Sequence, residues 1–64
     1  MEIYILVDTN GTPFAFKKLN KAISYMKKCY DDDVEYVDTI NGMRHYIWKG
    51  NNEYITIRKS EIFE

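Results

Sequence analysis

The first half of the chain has two patterns of apolar residues, a continuous run and a helical spacing. Residues 2–8, EIYILVD, are apolar at every position from 3 to 7, and four of these five residues are β-branched or aromatic, which predicts a strand that is buried on both faces and ends at Asp8. The following TNGTP predicts a turn, because Asn10-Gly11 tolerates positive φ and Pro13 interrupts a ladder of hydrogen bonds. Residues 17–30 then predict a helix, since apolar residues recur there at spacings of three and four. Its apolar face comprises Phe16, Leu19, Ala22, Ile23, Met26 and Tyr30.

The second half of the chain reads as three strands. The three acids at residues 31–33 predict the end of the helix, because negative charge opposes the macrodipole there. Residues 34–40, 43–49 and 53–59 have the composition and the alternation of strands. Asn41-Gly42 between the first two predicts a type I′ hairpin turn. The tail residues Ile62 and Phe63 are expected either to pack back on the core or to contact another chain.

These elements predict an α+β fold in the order β-α-β-β-β. One helix packs on one face of a four-stranded, mostly antiparallel sheet, so that residues 1–64 form a single-domain, two-layer sandwich. The order of the strands in the sheet stays open. If the strands on either side of the helix are parallel neighbours, their connection is a right-handed crossover.

Hairpin register decides which side chains share a face. A two-residue Asn41-Gly42 turn pairs Ile40 with Met43, Asp38 with His45, and Tyr36 with Ile47. In the second hairpin, a three-residue loop at 50–52 keeps the isoleucines of the last strand on the face of Ile47, whereas a two-residue loop would mix the faces. The helix is then expected to cover an aliphatic face, with the members Tyr36, Ile40, Met43, Ile47, Ile55 and Ile57.

The opposite face is predicted to be an exposed aromatic patch with basic neighbours. With Val37 beside it, the predicted binding surface consists of Arg44, Tyr46, Trp48, Tyr54, Thr56 and Arg58. Tyrosine, tryptophan and arginine are the residues most enriched at binding hot spots, so this surface predicts a protein-binding module, with a homodimer as one form of contact. The alternative is structural, because cross-strand aromatic pairs also stabilise an exposed sheet.

Charge and candidate chemistry narrow the functional classes. Nine basic and ten acidic residues give a net charge of −1, which disfavours general nucleic-acid binding. Single-stranded nucleic acid stays the alternative partner, because the protein has a lysine-rich helix in addition to the aromatic face.

His45 opposite Asp38 resembles part of a catalytic triad, but Cys29 is placed near the helix C-terminus, where a thiolate is disfavoured. We therefore expect no enzyme activity, no catalytic residues, no cofactor and no metal site. The lysines of the helix are Lys17, Lys18, Lys21, Lys27 and Lys28.

The sequence also predicts a cytoplasmic protein without a membrane segment. The longest apolar run, residues 3–7, is too short to span a bilayer and lacks the basic start of a secretory signal. The single Cys29 has no partner for an intramolecular disulfide, which fits a reducing compartment.

The N-terminal MEIYILVD strand, the entry FKKLNKAISYM and the short meander that follows resemble small accessory proteins encoded by phages or prophages. The resemblance covers the whole chain in outline. It implies a non-enzymatic protein, often a homodimer, that binds and inhibits or modulates a host enzyme or a defence component. It assigns no site residues.

Overall fold

One helix lies against one face of a five-stranded sheet in this computed structural model, which describes residues 2–61. The elements in chain order are β1 (Glu2–Val7), β2 (Pro13–Phe16), α1 (Leu19–Cys29), β3 (Val34–Ile40), β4 (Met43–Trp48) and β5 (Glu53–Glu61). The strands lie in the order β2-β1-β5-β4-β3, and neighbouring strands are antiparallel. The predicted α+β class with one helix is confirmed, whereas the prediction of four strands is wrong. The tail residues Ile62 and Phe63 lie outside the described residues.

The additional strand is β2, which forms a hairpin with β1. Phe14 lies opposite Leu6 in this pair, and Pro13 is the first residue of the strand. The predicted turn between the strands is present, and the Asp8 carboxylate accepts backbone N–H groups of Asn10 and Thr12 at 3.0 and 2.8 Å. Because β2 is an edge strand, the missing N–H of proline need not interrupt the interior of the sheet.

The helix is shorter at both ends than residues 17–30. It begins at Leu19 and ends at Cys29, and its last turn carries Lys27 and Lys28, which suit the negative end of the macrodipole. Asp31 and Asp32 then take φ values of +53° and +59°, and the N–H of Asp32 donates to the Lys27 carbonyl at 2.8 Å. This is the closing bond of a Schellman motif, so the acids end the helix through backbone geometry as well as charge.

The β3–β4 hairpin has the predicted turn but an irregular strand. Asn41 and Gly42 take φ values of +53° and +77°, as a type I′ turn requires, and Asp38 lies opposite His45. A bulge between Tyr36 and Asp38 then shifts the ladder. Tyr36 consequently lies opposite Tyr46, and the predicted pairing of Tyr36 with Ile47 is wrong.

The β4–β5 register differs from the predicted one by a single residue. Trp48 lies opposite Glu53, so residues 49–52 form the connection, and Tyr46 lies opposite Ile55. The predicted pairs of Ile47 with Ile55 and of Trp48 with Tyr54 are therefore wrong. Because side chains alternate along a strand, a shift of one residue exchanges the face of every β4 side chain relative to β5.

The core lies between α1 and the sheet face that carries the aromatic residues. It contains Leu6, Ala22, Met26, Tyr46, Ile55 and Ile57, each at most 6% exposed. Aromatic rings pack around this cluster, with Tyr25 5.1 Å from Phe14 and Tyr30 5.0 Å from Trp48 between ring centroids. The helix therefore covers the aromatic side of the sheet. Of the predicted helix-facing residues, Tyr36, Ile55 and Ile57 lie on that side, whereas the placement of Ile40, Met43 and Ile47 there is wrong.

Candidate binding surface

The six residues of the predicted binding surface lie on two different faces. Side chains alternate along β4, and those of Arg44, Tyr46 and Trp48 point to the helix side of the sheet. Tyr46 is only 6% exposed there. The other three members, Tyr54, Thr56 and Arg58, lie on the face that α1 does not cover. A single surface made of all six is therefore wrong, and the reason is the one-residue shift of β4 against β5.

Large aromatic side chains pack between the helix and the sheet, because a chain of 64 residues has few other ways to bury apolar area. Tyr46 packs with an edge-on Tyr36 at 5.6 Å between ring centroids, and Trp48 packs on Tyr30. Gly50 leaves room for the indole, since a Cβ there would lie 3.2 Å from Nε1 of Trp48. The size of Tyr46 and Trp48 was the signal in the sequence that would have predicted the correct face.

The open face is the sheet surface opposite α1. Its aliphatic side chains lie mainly on β1 and β4, and the central strand β5 between them is mostly polar on this face. β1 contributes Ile3, Ile5 and Val7, and these lie beside Ser60, Arg58 and Thr56 of β5. Their side chains are mostly half-buried by one another, whereas Tyr54 is 59% and Ile40 is 55% exposed. β4 adds Met43, His45 and Ile47 to this face. The sheet therefore has apolar residues on both sides, but the one helix within residues 2–61 covers only one of them.

Charged groups are found mainly toward the β3 side of the open face. Asp38 Oδ1 lies 3.0 Å from Nδ1 of His45, although the ring nitrogen makes no hydrogen bond in this geometry. The Glu35 carboxylate lies 3.7 Å from the Lys49 ammonium group. Arg58 is exposed on β5, two strands away from β3. One face thus carries two acids at one border, beside His45 and Lys49, and a cation near its middle.

Both edges of the sheet are poor templates for pairing with another strand. β2 has only four residues and begins with Pro13. β3 is interrupted by its bulge and carries Glu35 and Asp38. Short strands, proline, bulges and charge are the features that keep edge strands from pairing with other chains. Contact with another protein is therefore better served by the open face than by an edge.

The two candidate chemical groups of the sequence, Cys29 and the His45–Asp38 pair, are not brought together. Cys29 lies on α1, and the sheet separates this helix from the face on which His45 lies. A hydrogen bond with Cys29 raises the pKa of the Tyr25 hydroxyl, which is a contact within one helix. Among residues 2–61, no three side chains of the metal-binding types form a group. No helix in that range has the length and apolar character to cross a membrane.

Comparison with protein families, with curated proteins and with solved structures finds no match for this chain.

Proposed function

We propose that this protein is a non-enzymatic protein-binding module whose contact surface is the open face, and that this face binds a second copy of the chain. The observation that carries the proposal is two groups of apolar side chains, Ile3, Ile5 and Val7 on β1 and Met43 and Ile47 on β4, on either side of β5, on a sheet face without a covering layer among residues 2–61. Sheets whose second face is exposed to water normally alternate apolar and polar side chains. An aliphatic second face is typical of a sheet that packs against another layer.

The dimensions of the face suit a small dimer. Five strands at their usual spacing are about 24 Å wide, and six residues of strand are about 20 Å long. A flat area of that size is about 500 Å² on each copy, so two copies bury about 1,000 Å² in total, which is the lower bound for a specific interface. Two sheets that pack face to face in this way form a β-sandwich with helices on its outer sides.

The charges of the face favour an isologous contact. In a dimer with two-fold symmetry, the same patch is used by both copies. Glu35 and Asp38 on β3 and Arg58 on β5 supply charges of opposite sign within the patch that both copies use, and β1 and β4 supply its apolar side chains. The apolar area provides affinity, and the charges favour one orientation.

The test compares matched variants on the two faces. Tyr54→Lys places a charge on the open face at a residue that is 59% exposed, and Tyr36→Lys makes the same change on the helix side at one that is 50% exposed. Light scattering after size exclusion should show a concentration-dependent dimer for the wild type and for Tyr36→Lys. Dissociation of the Tyr54→Lys dimer should be at least about tenfold easier, because a buried unpaired charge is costly. A wild type that stays monomeric at millimolar concentration, or equal weakening by both variants, would contradict the proposal.

A different protein as the occupant is distinguished by the same experiment. The phage-type prediction of a host inhibitor or modulator, located in the cytoplasm, stays a prediction, and it requires a face that is free in the wild-type monomer. Monomeric wild type together with Tyr54→Lys-sensitive binding to a purified host protein would replace the dimer with that partner.

The nucleic-acid alternative lacks the arrangement on which it depended. Tyr54 is the one aromatic residue on the open face within residues 2–61, because Tyr46 and Trp48 lie on the other side. The lysines of α1 are on that other side too, but there Tyr46 is buried in the core and Trp48 packs on Tyr30, so these rings are not free to stack on bases.

A further inference from the structure

A groove remains open on the helix side of the sheet, at the end where β1 begins and the β3–β4 turn lies. Its volume is about 200 Å³. The lining residues are Tyr4, Leu19, Gly42, Arg44, Ile57 and Lys59. The open face is on the opposite side of the sheet, so this groove is a separate site from the surface of the proposed function.

The groove combines an apolar lining with two cations. Ile57 is 1% exposed and belongs to the core, and Leu19 and Tyr4 pack against that core. Arg44 and Lys59 provide positive charge on β4 and β5. The Glu2 carboxylate lies 3.1 Å from the Lys59 ammonium group and raises the pKa of Lys59.

Arg44 is the residue of the groove whose charge lacks a counter-ion among residues 2–61. Its side chain is half-buried, yet no carboxylate lies within 4 Å of its guanidinium among residues 2–61. Its remaining contacts are weak, because the bond from Nη1 to the Tyr46 hydroxyl is 3.5 Å long and the Tyr36 ring centroid lies 6.0 Å away. A partly desolvated guanidinium without a counter-ion is unfavourable, and an anion that accepts its forked hydrogen bonds would stabilise it.

We propose that this groove binds a small ligand with an anionic carboxylate or phosphate group on an apolar ring. The anion lies against Arg44 with Lys59 nearby, and the ring lies against Tyr4, Leu19 and Ile57. Arginine suits this task because its planar fork matches both kinds of anion. The volume is below the range of about 300–1,000 Å³ that is usual for drug-sized ligands, so one ring with its charged group is the size that fits.

Four probes separate the parts of this proposal. Amide chemical shifts of ¹⁵N-labelled protein are followed during titration with phenyl phosphate, benzoate, inorganic phosphate and uncharged phenol. At least one of the two ring anions should saturate the shifts of the Leu19, Gly42 and Arg44 amides, and it should bind at least about tenfold more tightly than phenol, as a charge-assisted contact implies. The tighter of the two ring anions identifies the phosphate or the carboxylate class. Absence of saturable shifts with both, or equal binding of phenol, would overturn the proposal.

Matched arginine variants then test the role of Arg44. Arg44→Gln should weaken the tighter probe by at least about tenfold, whereas Arg58→Gln, the same change on the open face, should leave its affinity within about twofold. Arg44→Lys should restore part of the lost affinity, because it keeps the charge but not the fork. Equal affinities of the Arg44→Gln and Arg58→Gln proteins would refute the assignment. If Arg44→Gln does not give a dispersed spectrum, Lys59→Gln replaces it and should weaken binding by about threefold.

Discussion

The two faces of the sheet carry similar apolar residues but give them different surroundings. On the helix side, Leu6, Ile55 and Ile57 are at most 1% exposed beneath α1. On the open face, the neighbouring Ile3 and Ile5 are only half-buried, although they lie on the same strands or next to them. The sequence alternates between two apolar sets, and only the position of the helix decides which set becomes the core. The difference shows that apolar alternation assigns side chains to two faces but does not tell which face the helix covers.

In this protein, the aromatic side chains determine which face of the sheet the helix covers. The ring pairs beneath or beside α1 join Tyr25 to Phe14 and to Phe16, and Tyr30 to Trp48. An aromatic side chain buries more area than an isoleucine, so the single helix of a small domain stabilises the fold most when it covers the rings. The other aliphatic set, which includes Ile3 and Ile5, has no covering layer among residues 2–61, and its exposure is the physical reason to propose a binding partner.

The largest expected difference between the faces concerns equivalent isoleucines. Ile55→Ala should lower the free energy of unfolding by about 3–4 kcal/mol, and Ile5→Ala by about 1 kcal/mol, because only the first leaves a closed cavity. Since a domain of this size is stable by only about 3–10 kcal/mol, Ile55→Val and Ile5→Val provide a milder pair, with losses of about 1 kcal/mol and less than 0.5 kcal/mol. Urea unfolding measures all four.

Protein concentration should affect the two alanine variants differently. Unfolding should be measured in dilute solution, where any dimer has dissociated, because association adds stability to the open face by mass action. The cost of Ile5→Ala should then grow as concentration rises, while the cost of Ile55→Ala stays constant. Equal losses for the two alanine variants in dilute solution would mean that the faces are assigned incorrectly.

Local turn chemistry is the part of the fold that the sequence predicts well. Asn41-Gly42 predicted both the type I′ turn and the pairing of Asp38 with His45, because positive φ at two adjacent positions leaves one hairpin geometry. The strands at 34–40, 43–49 and 53–59 and the helix were found within a few residues, since their periods are clear. β2 was missed because four residues that follow a turn and begin with Pro13 have no period to detect.

The candidate surface was predicted less well because it depended on loop length. Residues 49–52 contain Gly50-Asn51, which suits a two-residue turn, but that turn would have mixed the faces, so the loop was chosen by keeping isoleucines together. That criterion selected an odd loop, whereas the structure has an even one, closed by Asn51 donating to the Trp48 carbonyl and by Asn52 at φ +55°. Because the loop has an even and not an odd number of residues, Tyr46 and Trp48 lie on the helix side of the sheet and not on the open face where they were predicted.

A smaller effect tests that parity through two aromatic residues of the second hairpin. Trp48→Ala should cost about 2 kcal/mol, because the indole packs on Tyr30 and is partly buried, whereas Tyr54→Ala should cost less than about 1 kcal/mol. Urea unfolding followed by circular dichroism measures both, since Trp48 is the single tryptophan and its fluorescence is lost in the variant. In the predicted register the two residues formed one cross-strand pair, so similar costs would favour that register over the observed one.

The smallest expected effect concerns the polar border of the open face. Asp38→Asn removes the carboxylate beside His45, and the pair is partly exposed, so the loss in unfolding free energy should be below about 1 kcal/mol in dilute buffer. Glu35→Gln, beside the more exposed Lys49 at 3.7 Å, is the matched control and should change stability by less than about 0.3 kcal/mol. Both differences should disappear in 1 M NaCl, because exposed charges are screened within a few ångströms there. A loss at Asp38 that exceeds about 2 kcal/mol and persists in salt would instead mean that this border is buried, and that the open face is covered even in the monomer.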